Sequence, residues 1–178
     1  FIISFLGNVF CAILPYHIEF YKCMWYFLRK NELDKFIASL PPVDGIIHCG
    51  DIYLGYKPGD IQHLYICKGN NDFADICHFT IDGITFTTTH GHKNNYAYNP
   101  TTLKQLLNEY PADVICFGHT HIPYLYQDDD ITIINPGSLS LGRSYPKKNT
   151  YVLFDTQTRQ AHFYDIKTRE EIIVEMQK

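Results

Sequence analysis

Val114-Ile115-Cys116-Phe117-Gly118-His119-Thr120-His121 is the stretch on which the reading of this chain turns. Four apolar residues run without a polar break, as in a strand buried on both faces. A glycine follows, then two histidines at i, i+2. Neutral imidazole is a common metal ligand, and this spacing just past a strand end lets both rings turn toward one point. Ligands delivered at the carboxyl end of a buried strand are the layout of an open α/β sheet.

Working outward, three more clusters have the same layout. Gly45-Ile46-Ile47-His48-Cys49 reads as a buried strand and leads into Gly50-Asp51. His63 to Lys68 reads as a strand and leads into Gly69-Asn70-Asn71-Asp72. Phe79 to Ile81 and Ile84 to Thr89 flank Asp82-Gly83, a strong hairpin signal, and the second of them leads into His90-Gly91-His92. Between His92 and Val114, Asn99-Pro100 opens a helix, with Asn99 as N-cap and Leu103, Leu106, Leu107 and Tyr110 as its buried stripe. A crossover of that length makes Val114–Phe117 parallel to the strand before it. Alone, each cluster is an ordinary turn or loop; four in this order are far more specific than any one.

The remainder bounds the answer. The chain has 178 residues, 46% apolar and 19% charged, which suits a single domain over 1–178 with a sizeable core. A net charge of −4 gives no general field for nucleic acid or anionic membrane. The six cysteines (11, 23, 49, 67, 77 and 116) form no CxxC pair, which points to a reducing, cytoplasmic setting without a disulfide framework. Phe1-Ser4 is read as a first strand, Gly7-Asn8 as a turn, and Val9 to about Arg29 as helix broken at Pro15, with its aromatic run packed in the core. Glu32 to Leu40 has helical spacing at 33, 36, 37 and 40. After Phe117 the pattern is antiparallel: Tyr124–Tyr126 with Ile131–Ile134 across the acidic turn Asp128-Asp129-Asp130, then Tyr151–Phe154 with Ala161–Tyr164. The tail from Lys167 is charged and fits helix, edge strand or frayed end.

Asp51, Asn70, His90, His119 and His121 offer one carboxylate, one amide oxygen and three imidazoles. Mixed nitrogen and oxygen ligation suits a divalent metal, manganese foremost with nickel, iron and zinc as alternatives, and the lack of thiolate ligands argues against a closed structural zinc site. Two such ions about 3.5–4 Å apart clamp a phosphoryl group and supply a nucleophile at neutral pH.

The series GD, GNxD, HGH, GHTH and NPGS, from about Asp44 to Ile166, resembles the calcineurin-like metallophosphoesterase superfamily, and within it the small bacterial and archaeal phosphodiesterase branch. The resemblance implies a four-layer αββα sandwich of two mixed β-sheets flanked by helices, with two metals at one edge. It implies that Asp51 bridges the metals, that Asn70, His90 and His119 complete one site, and that His121 belongs to the other. It further implies that Asp72 supports the ligands, that His92 lines the site, with either His92 or a metal-bound water protonating the leaving group, and that Asn135 to Ser138 forms a loop beside the metals. Asn71 stands where many members carry a histidine, which fits diesterase chemistry on a small phosphodiester substrate.

One motif departs. The family opens with Asp-x-His after its first strand, and the matching stretch here is Ser4-Phe5-Leu6-Gly7-Asn8, without the aspartate and histidine. The second metal site then keeps Asp51 and His121, with His17 or Glu19 as the nearest replacements. The leading expectation is a metal-dependent phosphodiesterase in which a metal-bound hydroxide attacks phosphorus, impaired by that loss. The alternative is a non-catalytic interaction scaffold on the same frame, as in the retromer subunit that resembles this branch. Arg143 and Lys147-Lys148 are candidates to steer a phosphate, and assembly into a homo-oligomer stays open.

Overall fold

Strand pairing sorts the chain into two sheets. The computed structural model describes residues 8–12, 35–50, 63–67, 76–93 and 99–177. Among these, the first sheet holds β1 (Asn8–Ala12), β2 (Gly45–His48), β3 (Leu64–Ile66), β9 (Thr150–Asp155), β10 (Gln160–Asp165) and β11 (Glu171–Ile172), in the order β11-β10-β9-β1-β2-β3. The second holds β4 (Ile76–Ile81), β5 (Ile84–Thr89), β6 (Val114–Phe117), β7 (Pro123–Gln127), β8 (Thr132–Pro136) and β12 (Met176–Gln177), in the order β12-β7-β8-β6-β5-β4. Both are mixed. β1, β2 and β3 run parallel in one, as do β5, β6 and β8 in the other.

The alternation of side chains explains why these runs are apolar throughout. On β6, Val114 and Cys116 face the space between the sheets, while Ile115 and Phe117 face outward. On β9, Val152 and Phe154 face inward and Tyr151 and Leu153 outward. Both faces are covered, so neither can be polar. The helical residues 35–38 lay Phe36 against Ile46, Leu64 and Tyr151 on one outer face. A 3₁₀ helix, Pro100–Asn108, lays Leu103 and Leu106 against Ile115, Phe117 and Ile133 on the other. The result is the expected four-layer αββα sandwich.

Aromatic rings lock the two sheets together. Tyr65 of β3 stacks on Phe79 of β4 with centroids 3.9 Å apart, Phe79 stacks on Phe86 of β5 at 5.7 Å, and Phe86 meets the edge of Phe154 on β9 at 5.9 Å. The ladder crosses from one sheet to the other and back. The Asp82-Gly83 turn has both residues at positive φ, 49° and 77°, the conformation of a two-residue type I′ hairpin, and its β4–β5 ladder is six residue pairs long.

The N-terminal reading is corrected. β1 is Asn8–Ala12, where a turn and the start of a helix were expected. Its backbone fills the slot between β2 and β9, with Val9 opposite both Gly45 and Phe154. The match to the family's first motif, Ser4–Asn8, therefore precedes this strand instead of following it, and the expected strand Phe1-Ser4 lies outside the described residues, as do the aromatic run and His17. The N-cap expectation also changes: at Asn99 it is the backbone carbonyl that accepts, from Thr102 N (3.0 Å) and Thr102 Oγ1 (2.6 Å), with no capping bond from the side chain.

The acidic turn is structural. Asp128 holds Lys104 Nζ at 2.7 Å and the Tyr126 hydroxyl at 2.6 Å, and its other oxygen accepts from the amides of Asp130 and Ile131. The tail forms short edge strands: β11 pairs with β10 and β12 with β7, one on each sheet.

Phe154→Ala removes a fully buried ring from the ladder. The expected loss of stability is about 3–5 kcal/mol, read as a drop in denaturant midpoint at unchanged slope.

Candidate metal centre

Register brings the ends of the strands that lead into the predicted clusters to one rim of each sheet. Thr89 is opposite Phe117, so β5 and β6 end level and release His90 and Gly118 side by side, and Cys116 is opposite Ile134, so Asn135, still within β8, comes level with Phe117. In the other sheet Ala12, His48 and Ile66 are level, and the chain continues to Cys49 and Cys67.

His90 joins the two edges. Its ring is fully buried, and Nδ1 lies 2.8 Å from the Cys49 carbonyl oxygen. A carbonyl can only accept, so Nδ1 carries the proton and Nε2 keeps its lone pair. That lone pair faces His119 Nδ1 at 3.2 Å. As a direct contact this is an N–H donated from His119. The spacing also matches two nitrogens held by one ion: at about 2.1 Å from the metal and roughly 90–110° apart, they lie about 3.0–3.4 Å from each other. A histidine whose second nitrogen is fixed by a backbone carbonyl is the usual setting of a metal-ligating imidazole.

His121 is held in the same way by a different group. Its Nδ1 donates to the Leu141 carbonyl at 3.1 Å, which leaves Nε2 as the available donor atom. The two histidines of Gly118-His119-Thr120-His121 thus have different partners, His90 for one and the 138–149 loop for the other. Both have left-handed backbones, φ 70° for His119 and 61° for His121. Such conformations cost a non-glycine residue on the order of 1–3 kcal/mol each and persist where the surroundings impose them.

Asn135 imposes them. Its buried amide nitrogen donates to the Gly118 carbonyl at 3.0 Å and to Thr120 Oγ1 at 3.1 Å, while its oxygen accepts from Gly137 N at 3.0 Å. Gly118 N in turn donates to the His90 carbonyl at 3.1 Å. Thr150 Oγ1 donates to the Pro136 carbonyl at 2.7 Å and sits where a Cβ on Gly137 would go. Sequence reasoning placed Asn135 to Ser138 beside the site but missed this clamp. Its signal was an amide directly after the apolar run Ile133-Ile134, because a buried amide has to be hydrogen-bonded.

His92 is half-buried, its ring 5.4 Å from that of His90 and 6.3 Å from that of His119. Asp51, Asn70 and Asp72 lie outside the described residues. Among the described residues no group of three or more histidine, cysteine or carboxylate side chains converges on one point.

The family model described as the calcineurin-like phosphoesterase superfamily domain matches residues 29–159. The chain belongs to that superfamily. This phosphoesterase is 35% identical over 116 residues to a probable metallophosphoesterase of Mycoplasma genitalium, covering 62% of this chain and 71% of that one. It is 33% identical over 128 residues to the probable metallophosphoesterase YsnB of Bacillus subtilis, covering 69% and 76%. In fold it is similar to Vacuolar Protein Sorting 29 from Cryptosporidium parvum, with a TM-score of 0.70 at 16% identity over 96% of this chain and 97% of that one.

Two imidazoles of this phosphoesterase, His48 and His121, are tuned to stay neutral. Burial pushes His48 down to about 3, helped by His90 beside it. Burial pushes His121 down to about 4, and the Arg143 guanidinium adds to that. Neutral imidazole is the metal-binding form.

These shifts set a pH dependence. Both folded-state values lie below the unfolded 6.5, so between pH 6.5 and 4 the unfolded chain takes up protons that the folded chain refuses. The stability is fully present above pH 6.5 and is lost as pH falls, by up to ~1.4 kcal/mol per unit for each histidine. In metal-free buffer the denaturant midpoint is expected to fall between pH 7 and pH 5, and His48→Gln to flatten that slope. A midpoint that stays constant over this range contradicts the neutral buried rings.

Proposed function

We propose that this chain is a metal-dependent phosphodiesterase. The observation that carries the reading is His90 Nε2 facing His119 Nδ1 at 3.2 Å, with His90 locked by Cys49. Asp51, Asn70, His90 and His119 would hold one divalent ion, and Asp51 and His121 would contribute to a second. Manganese is the first candidate, with nickel, iron and zinc after it. Bound ions of this kind supply Lewis acidity and a hydroxide nucleophile near neutral pH.

The chain's own groups do the rest. The Cys49 and Leu141 carbonyls fix the tautomers of His90 and His121, so both present Nε2 without rearrangement. Asp72 would support the ligands. His92 stands next to the His90–His119 pair and delivers a proton to the leaving oxygen, a general-acid role suited to an imidazole. Arg143, whose amide donates to the His121 carbonyl at 3.0 Å, brings a cation to the phosphoryl charge. The substrate is a small phosphodiester. The lack of any CxxC pair fits a reducing, cytoplasmic setting, and no helix among the described residues is long and apolar enough to cross a membrane.

The second reading is an interaction scaffold. The absence of Asp-x-His after β1, where the sequence reads Ile13-Leu14-Pro15-Tyr16-His17, favours it, because two protein ligands hold a metal poorly. One experiment separates the two. Asp51→Ala and His119→Ala are each expected to lower hydrolysis of bis(4-nitrophenyl) phosphate with manganese by at least about 10³-fold, while wild type binds metal by calorimetry. Unchanged turnover in both variants overturns the enzyme reading; a wild type that binds no metal and turns over no diester supports the scaffold.

A further inference from the structure

A diester carries two organic arms, and one stays attached while the other leaves. A catalyst has to place that second arm. Starting at Ile122, the residue after His121, the chain builds a groove of about 480 Å³, a size that suits a small ligand. Ile122, directly after His121, and Pro123 form one wall. Tyr145 and Pro146, just after Arg143, form another, and Ile173 and Val174 close it. Ile122, Tyr145 and Ile173 are three of the four large apolar side chains exposed among the described residues, so apolar exposure concentrates at this spot, as it does at binding sites.

The charges are arranged to match. Arg143 is exposed, its amide donates to the His121 carbonyl at 3.0 Å, and it directly precedes Ser144 of the groove wall. Lys148 also lines the groove. Its one acid, Glu171, has an oxygen 2.7 Å from His162 Nδ1. Cations at Arg143 and Lys148 beside apolar walls complement an anionic phosphoryl group that carries a flat, uncharged substituent.

We propose that this groove is the subsite for the retained arm of the diester and that it selects a planar aromatic arm, an aryl group or a nucleobase. The inference rests on the phosphodiesterase reading and goes beyond it by naming the substrate class. Tyr145 and Ile173 contact the arm, and Arg143 meets the phosphoryl oxygens at the mouth.

The test keeps the leaving group constant. Phenyl 4-nitrophenyl phosphate and methyl 4-nitrophenyl phosphate release the same nitrophenolate and differ in the retained arm. Wild type is expected to prefer the phenyl compound by about tenfold in kcat/KM, the range that apolar pocket contacts supply, with the difference in KM. The Tyr145→Ser/Ile173→Ser double variant is expected to bring that ratio close to one. Both positions are exposed, so the fold tolerates the change. Arg143→Ala is expected to raise KM for both compounds about tenfold, with partial recovery in Arg143→Lys. Thymidine 5′-(4-nitrophenyl phosphate) compared with the phenyl compound tells nucleobase from simple aryl. A ratio that does not move in the double variant overturns the proposal while leaving the phosphodiesterase reading intact. Wild type that hydrolyses neither compound overturns both. Sedimentation supplies a readout independent of turnover: dimers of wild type that the double variant disperses, with the ratio unmoved, make the groove an interface between copies and likewise overturn the proposal.

Discussion

The hydrogen bond from His90 Nδ1 to the Cys49 carbonyl is the interaction on which the site geometry depends. It spans 41 residues of sequence and joins the carboxyl end of β5 in one sheet to that of β2 in the other. A two-sheet sandwich can slide at its rim, because apolar packing between faces has little directional preference. A buried, directional bond at the rim fixes the offset. The same bond assigns the proton on His90 and so decides which nitrogen it presents. Losing it would leave a buried carbonyl and a buried imidazole both without that partner, a cost on the order of 1–3 kcal/mol for each.

From that point the order of events along the chain explains the site. Parallel strands release their next residues at one edge, and both sheets do so here. The turn that follows β6 carries two histidines in left-handed backbone, where glycine or asparagine would be at ease. The strain is offset by Asn135, which satisfies Gly118 and Thr120 on one side and Gly137 on the other. Asn135 is itself positioned by β8, whose Ile133 and Ile134 face opposite hydrophobic layers. Core packing thus sets the strand, the strand sets the amide, and the amide sets the two imidazoles.

This hierarchy also explains what could be read from the sequence. Buried strands bounded by glycine are legible because they combine an unbroken apolar run with a sharp stop, as at Val114–Phe117 and at 45–49. The β4–β5 hairpin is legible because Asp-Gly has few other uses between two such runs. Residues 8–12 were misread because Asn-Val-Phe-Cys-Ala carries no stop signal, and an apolar run that short fits helix and strand equally well. Pairing with β2 and β9 decided it, and that information is more than thirty residues away in the chain. The motif alignment failed with it: Ser4–Asn8 was placed after a strand that in fact starts at Asn8. The clamps were hidden for a related reason. Leu141 contributes a backbone carbonyl, which every residue has, and Asn135 acts through contacts made only when β6 and β8 lie parallel.

Burial has a further consequence for how such a site binds. An imidazole in water at pH 6 is largely protonated and has to lose that proton to a metal. His121 and His48, held at about 4 and about 3, have refused it already when the chain folds. A ligand at His121 therefore meets a neutral ring whose tautomer and orientation are fixed by Leu141, and near pH 6 little proton release at that ring accompanies binding. The cost appears instead in folding, as the acid-side loss of stability and as two left-handed residues. Stability and the orientation of the two imidazoles are in this way coupled through the same few atoms, so a substitution that relaxes the Gly118–His121 turn would be expected to make the protein easier to fold and the placement of the two rings less fixed.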